Sequence, residues 1–184
     1  MNSIVNKQRK YYFSGATRPY SFRIEQLKKF QDMLNRYEKD IYRVLKADLN
    51  KSKHETITTE LGILHTEIDF TLKNLKEWME DEEVPAPLSH KGSNSYITYE
   101  PYGVTLIISP WNYPLQLALA PAIGALAAGN TIVLKPSEIA VHTSNLVQKM
   151  ISTTFEPEVF TVVEGAVETT NALLEERFDY IFFT

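Results

Sequence analysis

Two long stretches in the first half of the chain repeat apolar residues at the spacing of an α-helix. Between Ser21 and about Leu49, and again after Ser52, apolar residues recur every three or four positions with charged residues between them. The first stripe is Leu27, Phe30, Leu34, Tyr37, Ile41, Val44 and Leu45, and the second is Ile57, Leu61, Leu64, Ile68, Leu72, Leu75 and Trp78. Ser52 and Glu55 form a capping-box pattern where the second helix begins. Since neither helix can bury its single apolar face alone, we expect the two to pack on each other and on a further layer.

The pattern changes after an acidic, proline-containing stretch at residues 80–87. The sequence Glu80-Asp81-Glu82-Glu83-Val84-Pro85-Ala86-Pro87 predicts a solvated, extended connector, because each proline fixes its own φ and disfavours helix in the residue before it. Residues 95–100 then alternate aromatic or β-branched residues with polar ones, which predicts a half-buried strand. The expected units are a helical segment at 1–84, a linker and strand at 85–100, and an α/β domain at 101–184.

From residue 101 onward, short apolar runs alternate with helix-like segments. The runs predict strands at 104–109, 131–135, 159–163 and 180–183, and helices at 114–128, about 141–154 and about 167–175. Continuous apolar strands separated by helices are typical of a parallel sheet that is buried on both faces, which makes the fold class α/β. In the first of these helices, Pro114 suits the first helical position and Gly129-Asn130 suits the left-handed end.

The composition excludes several classes of function. With 184 residues, 43% of them hydrophobic and 23% charged, the chain can form a globular core. A formal net charge of −4 gives no basic surface for nucleic acid. There is no cysteine, and the four histidines have no metal-ligand spacing, so we expect no disulfide, metal site or cysteine nucleophile within these residues. Neither a signal peptide nor a membrane span is predicted, and the expected location is the cytoplasm.

Two polar motifs follow the first two strands of the predicted sheet. They are Ser109-Pro110-Trp111-Asn112 and Lys135-Pro136-Ser137-Glu138. Because ligands of open parallel sheets bind at the carboxyl ends of the strands, we expect the two motifs to lie side by side there. Lys135 and Glu138 have two roles open to them. They form a surface ion pair and helix cap, or Glu138 accepts hydrogen bonds from a ribose diol while Lys135 reaches a hydroxyl or phosphate. The usual GxGxxG dinucleotide motif is missing.

Asn112 also has two possible roles. An asparagine before a helix that begins with proline is a common N-cap, in which the side-chain oxygen accepts a backbone N–H. Alternatively, the side-chain NH₂ points across the strand ends as a donor to a developing oxyanion. Local sequence alone leaves both roles open.

The stretch "PYGVTLIISPWNYPLQLALAPAIGALAAGNTIVLKPSE" resembles the cofactor-domain core of the aldehyde dehydrogenase superfamily, and "VETTNALLEERFDYIFFT" resembles its continuation, most closely in the class 3 or fatty-aldehyde branch. The joint PWN and KPSE motifs at this spacing are far more specific than either alone. The resemblance implies a Rossmann-like sheet and makes Asn112 the oxyanion-stabilising amide. It also implies that NAD(P) is bound by Ile108, Ser109, Pro110, Trp111, Lys135, Ser137 and Glu138. Glu138 favours NAD, because its charge repels a 2′-phosphate, although Lys135 can tolerate NADP.

The same resemblance implies the reaction and what these residues lack. Members of the superfamily oxidise an aldehyde to a carboxylic acid through a thiohemiacetal on a cysteine. That cysteine, a glutamate base and a Gly-Ser turn would follow Thr184, so we expect the 184 residues alone to be inactive. The strand at 95–100 resembles part of the family's dimerisation sheet, which implies a homodimer. An acyl-CoA-forming or phosphate-reducing relative, and a non-catalytic assembly protein with the same fold, are the alternatives.

Overall fold

The computed structural model describes all 184 residues, and it contains the predicted alternation of strands and helices after residue 101. The helices are α1 (Asn2–Phe13), α2 (Tyr20–Leu49), α3 (Lys53–Thr56), α4 (Gly62–Trp78), α5 (Gln116–Ala128), α6 (Val141–Ser152) and α7 (Val167–Leu174), with a π-helical segment, Ile57–Leu61, between α3 and α4. A short 3₁₀ turn covers Leu88–His90. The strands are β1 (Glu82–Val84), β2 (Ser95–Ile97), β3 (Val104–Ile108), β4 (Thr131–Lys135), β5 (Phe160–Val162) and β6 (Tyr180–Phe183).

The two predicted long helices are present, and their apolar stripes form the main core. Residues of α2 and α4 share one buried cluster with α5, α6 and one face of the sheet, as two one-sided helices require. Ser52 caps the second helix, since its Oγ accepts the Glu55 N–H at 3.1 Å, but the Glu55 carboxylate makes no return bond to the Ser52 N–H, so only half of the predicted capping box forms. Ile57 was expected in the stripe but is 41% exposed, because the π-helical turn adds a residue and shifts the buried face. Trp78, at the end of α4, is also exposed.

The sequence pattern did not reveal helix α1. Only Val5 and Gln8 of this helix are buried, so its apolar period is weak. Specific polar contacts hold it instead. The Gln8 amide donates to Ile132 O at 2.7 Å and Pro157 O at 3.1 Å. Arg9 binds both carboxylate oxygens of Asp179, at 2.7 and 3.0 Å, from 170 positions earlier in the chain.

Residues 80–100 form a hairpin instead of a simple connector. Strand β1 pairs with β2 in antiparallel register, with Glu82 opposite Ile97 and Val84 opposite Ser95. The hairpin therefore spans the expected boundary at residue 84. The segment is exposed, as predicted for 80–87. The strand predicted at 95–100 is shorter than expected and largely exposed rather than half-buried, because nothing in these 184 residues covers this two-stranded ribbon.

The main sheet is parallel, as predicted, with the strand order β5-β4-β3-β6. Every residue of β3 and β4 is buried. Helices α5 and α6, with α2 and α4 beyond them, cover one face, and α1 and α7 lie on the other beside Leu106, Ile108 and Val133. The prediction of burial on both faces is wrong for β6, which is exposed along its length because it forms an edge of the sheet in these residues.

Helix α5 differs slightly from its predicted bounds at the start and matches them at the end. It begins at Gln116, so Pro114 lies in the preceding turn, although Tyr113 O already accepts the Leu117 N–H at 2.9 Å. At the other end Gly129 takes the left-handed conformation with φ of 87°, and the Asn130 N–H bonds Ala125 O, as predicted. None of the seven α-helices has the combined length and apolar character that a membrane span requires.

Candidate active site

The two polar motifs lie next to each other at the carboxyl edge of the sheet. Strands β3 and β4 are parallel and in direct register, so that Ile108 is opposite Lys135. The Ser109 N–H continues this pairing and donates to Lys135 O at 3.1 Å. The prediction that neighbouring strands bring the motifs together is therefore confirmed for their backbones.

Lys135 and Glu138 form a close ion pair at this edge. The Lys135 Nζ donates to Glu138 Oε2 at 2.5 Å, with the lysine side chain 4% exposed and the glutamate 39% exposed. The hydrogen bond from Lys135 is the main reason why the pKa of Glu138 lies below its ordinary value of 4.5, and a backbone hydrogen bond adds to it. Glu138 is thus a carboxylate at neutral pH, and it is accessible to a ligand. The hydroxyl of Ser137 serves the local turn, where it accepts the Ile139 N–H at 3.3 Å.

Asn112 does not cap helix α5. Leu115 occupies the N-cap position, and Asn112 lies in an exposed bend three residues earlier. Its side-chain amide makes no hydrogen bond within the protein, whereas its backbone oxygen accepts one from Lys51 Nζ at 3.1 Å. The N-cap alternative is therefore wrong, and the carboxamide is free to bind a ligand.

A glutamate from the N-terminal helices caps α5 in place of Asn112. Glu60 has no exposed surface, and its Oε2 accepts the backbone N–H groups of Leu115 at 2.8 Å and Gln116 at 3.1 Å. A carboxylate at a helix N-terminus satisfies free N–H groups and interacts favourably with the helix dipole. Sequence reasoning missed this residue. The available signal was an acidic side chain beside Leu61, on the apolar stripe of its helix.

The predicted cofactor-binding residues at the end of β3 differ in exposure. Ile108 and Ser109 are buried, and Trp111 is 49% exposed. The Ser109 Oγ is buried and has no hydrogen-bond partner. The accessible carboxylate of Glu138 and the cation of Lys135 fit a ligand with hydroxyl and phosphate groups, such as NAD(P), whereas the buried Ser109 hydroxyl has no exposed surface to offer it.

The rest of the molecule offers no metal site and a separate cavity. No group of three or more histidine, aspartate or glutamate side chains is arranged to hold a metal ion. A cavity of about 220 Å³ lies among Tyr102, Thr105, Asn130 and Tyr180, near the amino ends of the strands. It is therefore separate from the strand ends that carry the polar motifs.

The chain forms a parallel α/β sheet with a lysine, a carboxylate and a free amide at its carboxyl edge, which is the edge at which open sheets of this kind bind their ligands. The sequence matches the aldehyde dehydrogenase family over residues 2–184. The chain belongs to that family.

Several known proteins are similar over the whole chain. The mouse (Mus musculus) "Aldehyde dehydrogenase, dimeric NADP-preferring" is 41% identical over 184 residues, which are 100% of this chain and 41% of the relative. "Aldehyde dehydrogenase family 3 member B1" of Bos taurus is 43% identical over 98% of this chain and 38% of its own length. The solved structure "Substrate bound state of Staphylococcus Aureus AldH" superposes with a TM-score of 0.97 at 41% identity, covering 99% of this chain and 40% of the other.

These similarities confirm the resemblance to the class 3 branch and the α/β fold. They also show that the chain spans about two fifths of the length of its relatives.

Proposed function

We propose that the protein containing this chain oxidises an aldehyde to a carboxylic acid with NAD(P), and that this chain supplies the oxyanion-stabilising amide and the site for the adenosine ribose. The observation that carries the proposal is the free side chain of Asn112 at the strand edge that also holds the Lys135–Glu138 pair. Membership of the aldehyde dehydrogenase family and the name of the NADP-preferring mouse relative support the reaction and the cofactor.

In this proposal, each of the polar residues has a distinct role. Glu138 accepts hydrogen bonds from ribose hydroxyls, and Lys135 holds that carboxylate in its charged form and donates to a hydroxyl or phosphate. When bound, NAD(P) accepts the hydride that the substrate loses. The Asn112 amide donates to the substrate oxygen, which becomes negatively charged when a thiolate adds to the aldehyde. Since the 184 residues contain no cysteine, we propose that the thiolate comes from a part of the protein outside them.

The test is turnover by the complete protein that contains this chain. We expect formation of NADH or NADPH that depends on an added aldehyde and yields the free acid without coenzyme A or phosphate. A requirement for coenzyme A or phosphate would favour the acyl-transferring relatives, and absence of turnover with any aldehyde would favour a non-catalytic protein. We expect no turnover from residues 1–184 alone, so NADH formation by that segment would contradict the division of roles.

Glu138→Gln is expected to change cofactor selection. The substitution removes the charge that binds the ribose diol and repels a 2′-phosphate, and hydrogen bonds to charged groups contribute about 1.5–3 kcal/mol. We expect the KM for NAD to rise about tenfold or more while the KM for NADP rises less. Steady-state kinetics with both cofactors measure this shift.

Glu25→Gln is the matched control for this variant. Glu25 is also an exposed carboxylate that is ion-paired with a lysine, Lys29, at 2.7 Å. It lies, however, near the start of α2, where Arg23 binds Ala127 O just before the amino end of β4. The control should leave both KM values unchanged. If the ratio of the KM values for NAD and NADP is the same in Glu138→Gln as in the wild type, Glu138 does not bind the ribose.

We also propose that the complete protein forms a homodimer through the β1–β2 hairpin. Tyr96 and Ile97 of β2 are 61% and 44% exposed, which leaves apolar surface on a short paired ribbon. The mouse relative is dimeric by name.

A further inference from the structure

Lys51 and Glu60 form a buried ion pair beneath the segment that carries Asn112. The Lys51 Nζ lies 2.6 Å from Glu60 Oε1, and the two side chains are 6% and 0% exposed. Removing two charges from water is costly, and replacing such pairs by apolar residues is often neutral or stabilising. Stability alone therefore does not account for a charged pair at this position.

Beyond the pair itself, every polar contact of these two side chains is with residues 112–116. Glu60 Oε2 accepts the N–H groups of Leu115 and Gln116. Lys51 donates to Asn112 O at 3.1 Å, and its Nζ lies 4.1 Å from the ring centroid of Tyr113. Lys51 thus holds the start of this short segment and Glu60 holds its end, while the two side chains hold each other.

The backbone around Glu60 is adapted to this contact. Glu60 lies in the π-helical segment Ile57–Leu61, a form of helix that is rare and frequent at functional sites. Gly62 permits the wide turn, because a Cβ at this position would lie 2.5 Å from Ile57 O. The irregular turn therefore coincides with the residue whose carboxylate reaches the start of α5.

We infer that Lys51 and Glu60 are positioning residues for Asn112, which hold its backbone so that the carboxamide faces the reacting oxygen. Because Glu60 caps α5, the side chain of Asn112 is not needed as a cap. The inference rests on the oxyanion role proposed above for Asn112. Displacing a catalytic group by about 1 Å can cost about 100-fold in rate, so a loosened segment should lower kcat.

The experiment is a double-mutant cycle in the complete protein. Lys51→Met should lower kcat about 10- to 100-fold and leave the KM for NAD within about twofold, because Lys135 and Glu138 are on a different loop. In the Asn112→Ala background, the same Lys51→Met change should lower kcat no further. Glu60→Gln, which keeps an oxygen for the two N–H groups, should lose less activity than Glu60→Leu. If Lys51→Met does not fold, the cycle is run with Glu60→Gln.

Arg23→Met is the matched control. Arg23 is a buried cation of α2 that donates to Ala127 O at 3.2 Å, so it binds the opposite end of the same helix α5. This variant should lower the Tm while kcat remains that of the wild type.

Three results would overturn the inference. They are kcat losses that add in the double variant, an unchanged kcat in Lys51→Met, or an equal loss of kcat in Arg23→Met. If Asn112→Ala alone keeps full activity, the oxyanion role itself fails, and the positioning role fails with it. The single and double variants therefore separate the failure of the inference from the failure of the proposed function.

Discussion

Asn112→Ala is expected to lower kcat of the complete protein by about 10²- to 10³-fold, the usual cost of removing one oxyanion donor. The Tm should not change, because the side chain is exposed and makes no hydrogen bond within the protein. The combination of a large loss of rate with unaltered stability is characteristic of a residue that acts on the substrate alone. Steady-state kinetics with an aldehyde and NAD, together with a thermal melt, measure both quantities.

Asn74→Ala is the control, because it removes a side-chain amide that has no proposed role in catalysis. The Asn74 side chain is exposed on α4 and bonds only Phe70 O, one turn earlier, at 2.7 Å. We expect this variant to retain full kcat. An Asn112→Ala protein that matches it in activity would exclude Asn112 from the chemistry, and a lowered Tm would point to a structural role.

Phe30→Ala is expected to have the largest effect on stability. The side chain is fully buried on α2, and its ring centroid lies 6.0 Å from that of Phe155 and 6.5 Å from that of Phe160. It thus joins the N-terminal helices to strand β5 and the end of α6. Truncation of a buried phenylalanine costs about 3–5 kcal/mol, through lost burial and the cavity left behind. Denaturant unfolding of the complete protein, followed by fluorescence and circular dichroism, measures the change.

Phe13→Ala is the comparison for this truncation. Phe13 is 74% exposed at the end of α1, and exposed substitutions usually change the free energy of unfolding by no more than about 0.5 kcal/mol. Similar losses for the two variants would mean that α2 does not pack on the sheet as described.

The burial of residues in regularly spaced apolar patterns could be predicted from the sequence, but the roles of polar residues whose partners are distant along the chain could not. The stripes of α2 and α4 and the apolar runs of β3 and β4 follow from local spacing, because burial imposes a period of 3.6 or a continuous apolar run. The adjacency of Ser109 and Lys135 followed from the rule that parallel strands end at the same edge. The role of Glu60 did not, since its partners Leu115 and Gln116 are 55 and 56 positions away.

The same distinction explains the alternatives left open for Asn112. A local rule makes it an N-cap, and only the distant carboxylate of Glu60 removes that role. Similarly, α1 has a weak apolar period and depends on Gln8 and Arg9, whose contacts lie 124 to 170 positions away. Polar contacts of this length carry no periodic signal in a single sequence.

The attachment of α1 to Asp179 has a consequence for how the chain folds. Arg9 is synthesised early and its carboxylate partner 170 positions later, and the same carboxylate accepts the Val104 N–H at 2.8 Å. Such distant pairing raises contact order, which slows folding. During translation, α2 and α4 emerge before the strands that cover their apolar faces. The nascent chain therefore exposes hydrophobic surface for a time, and this is the stage at which molecular chaperones would bind it.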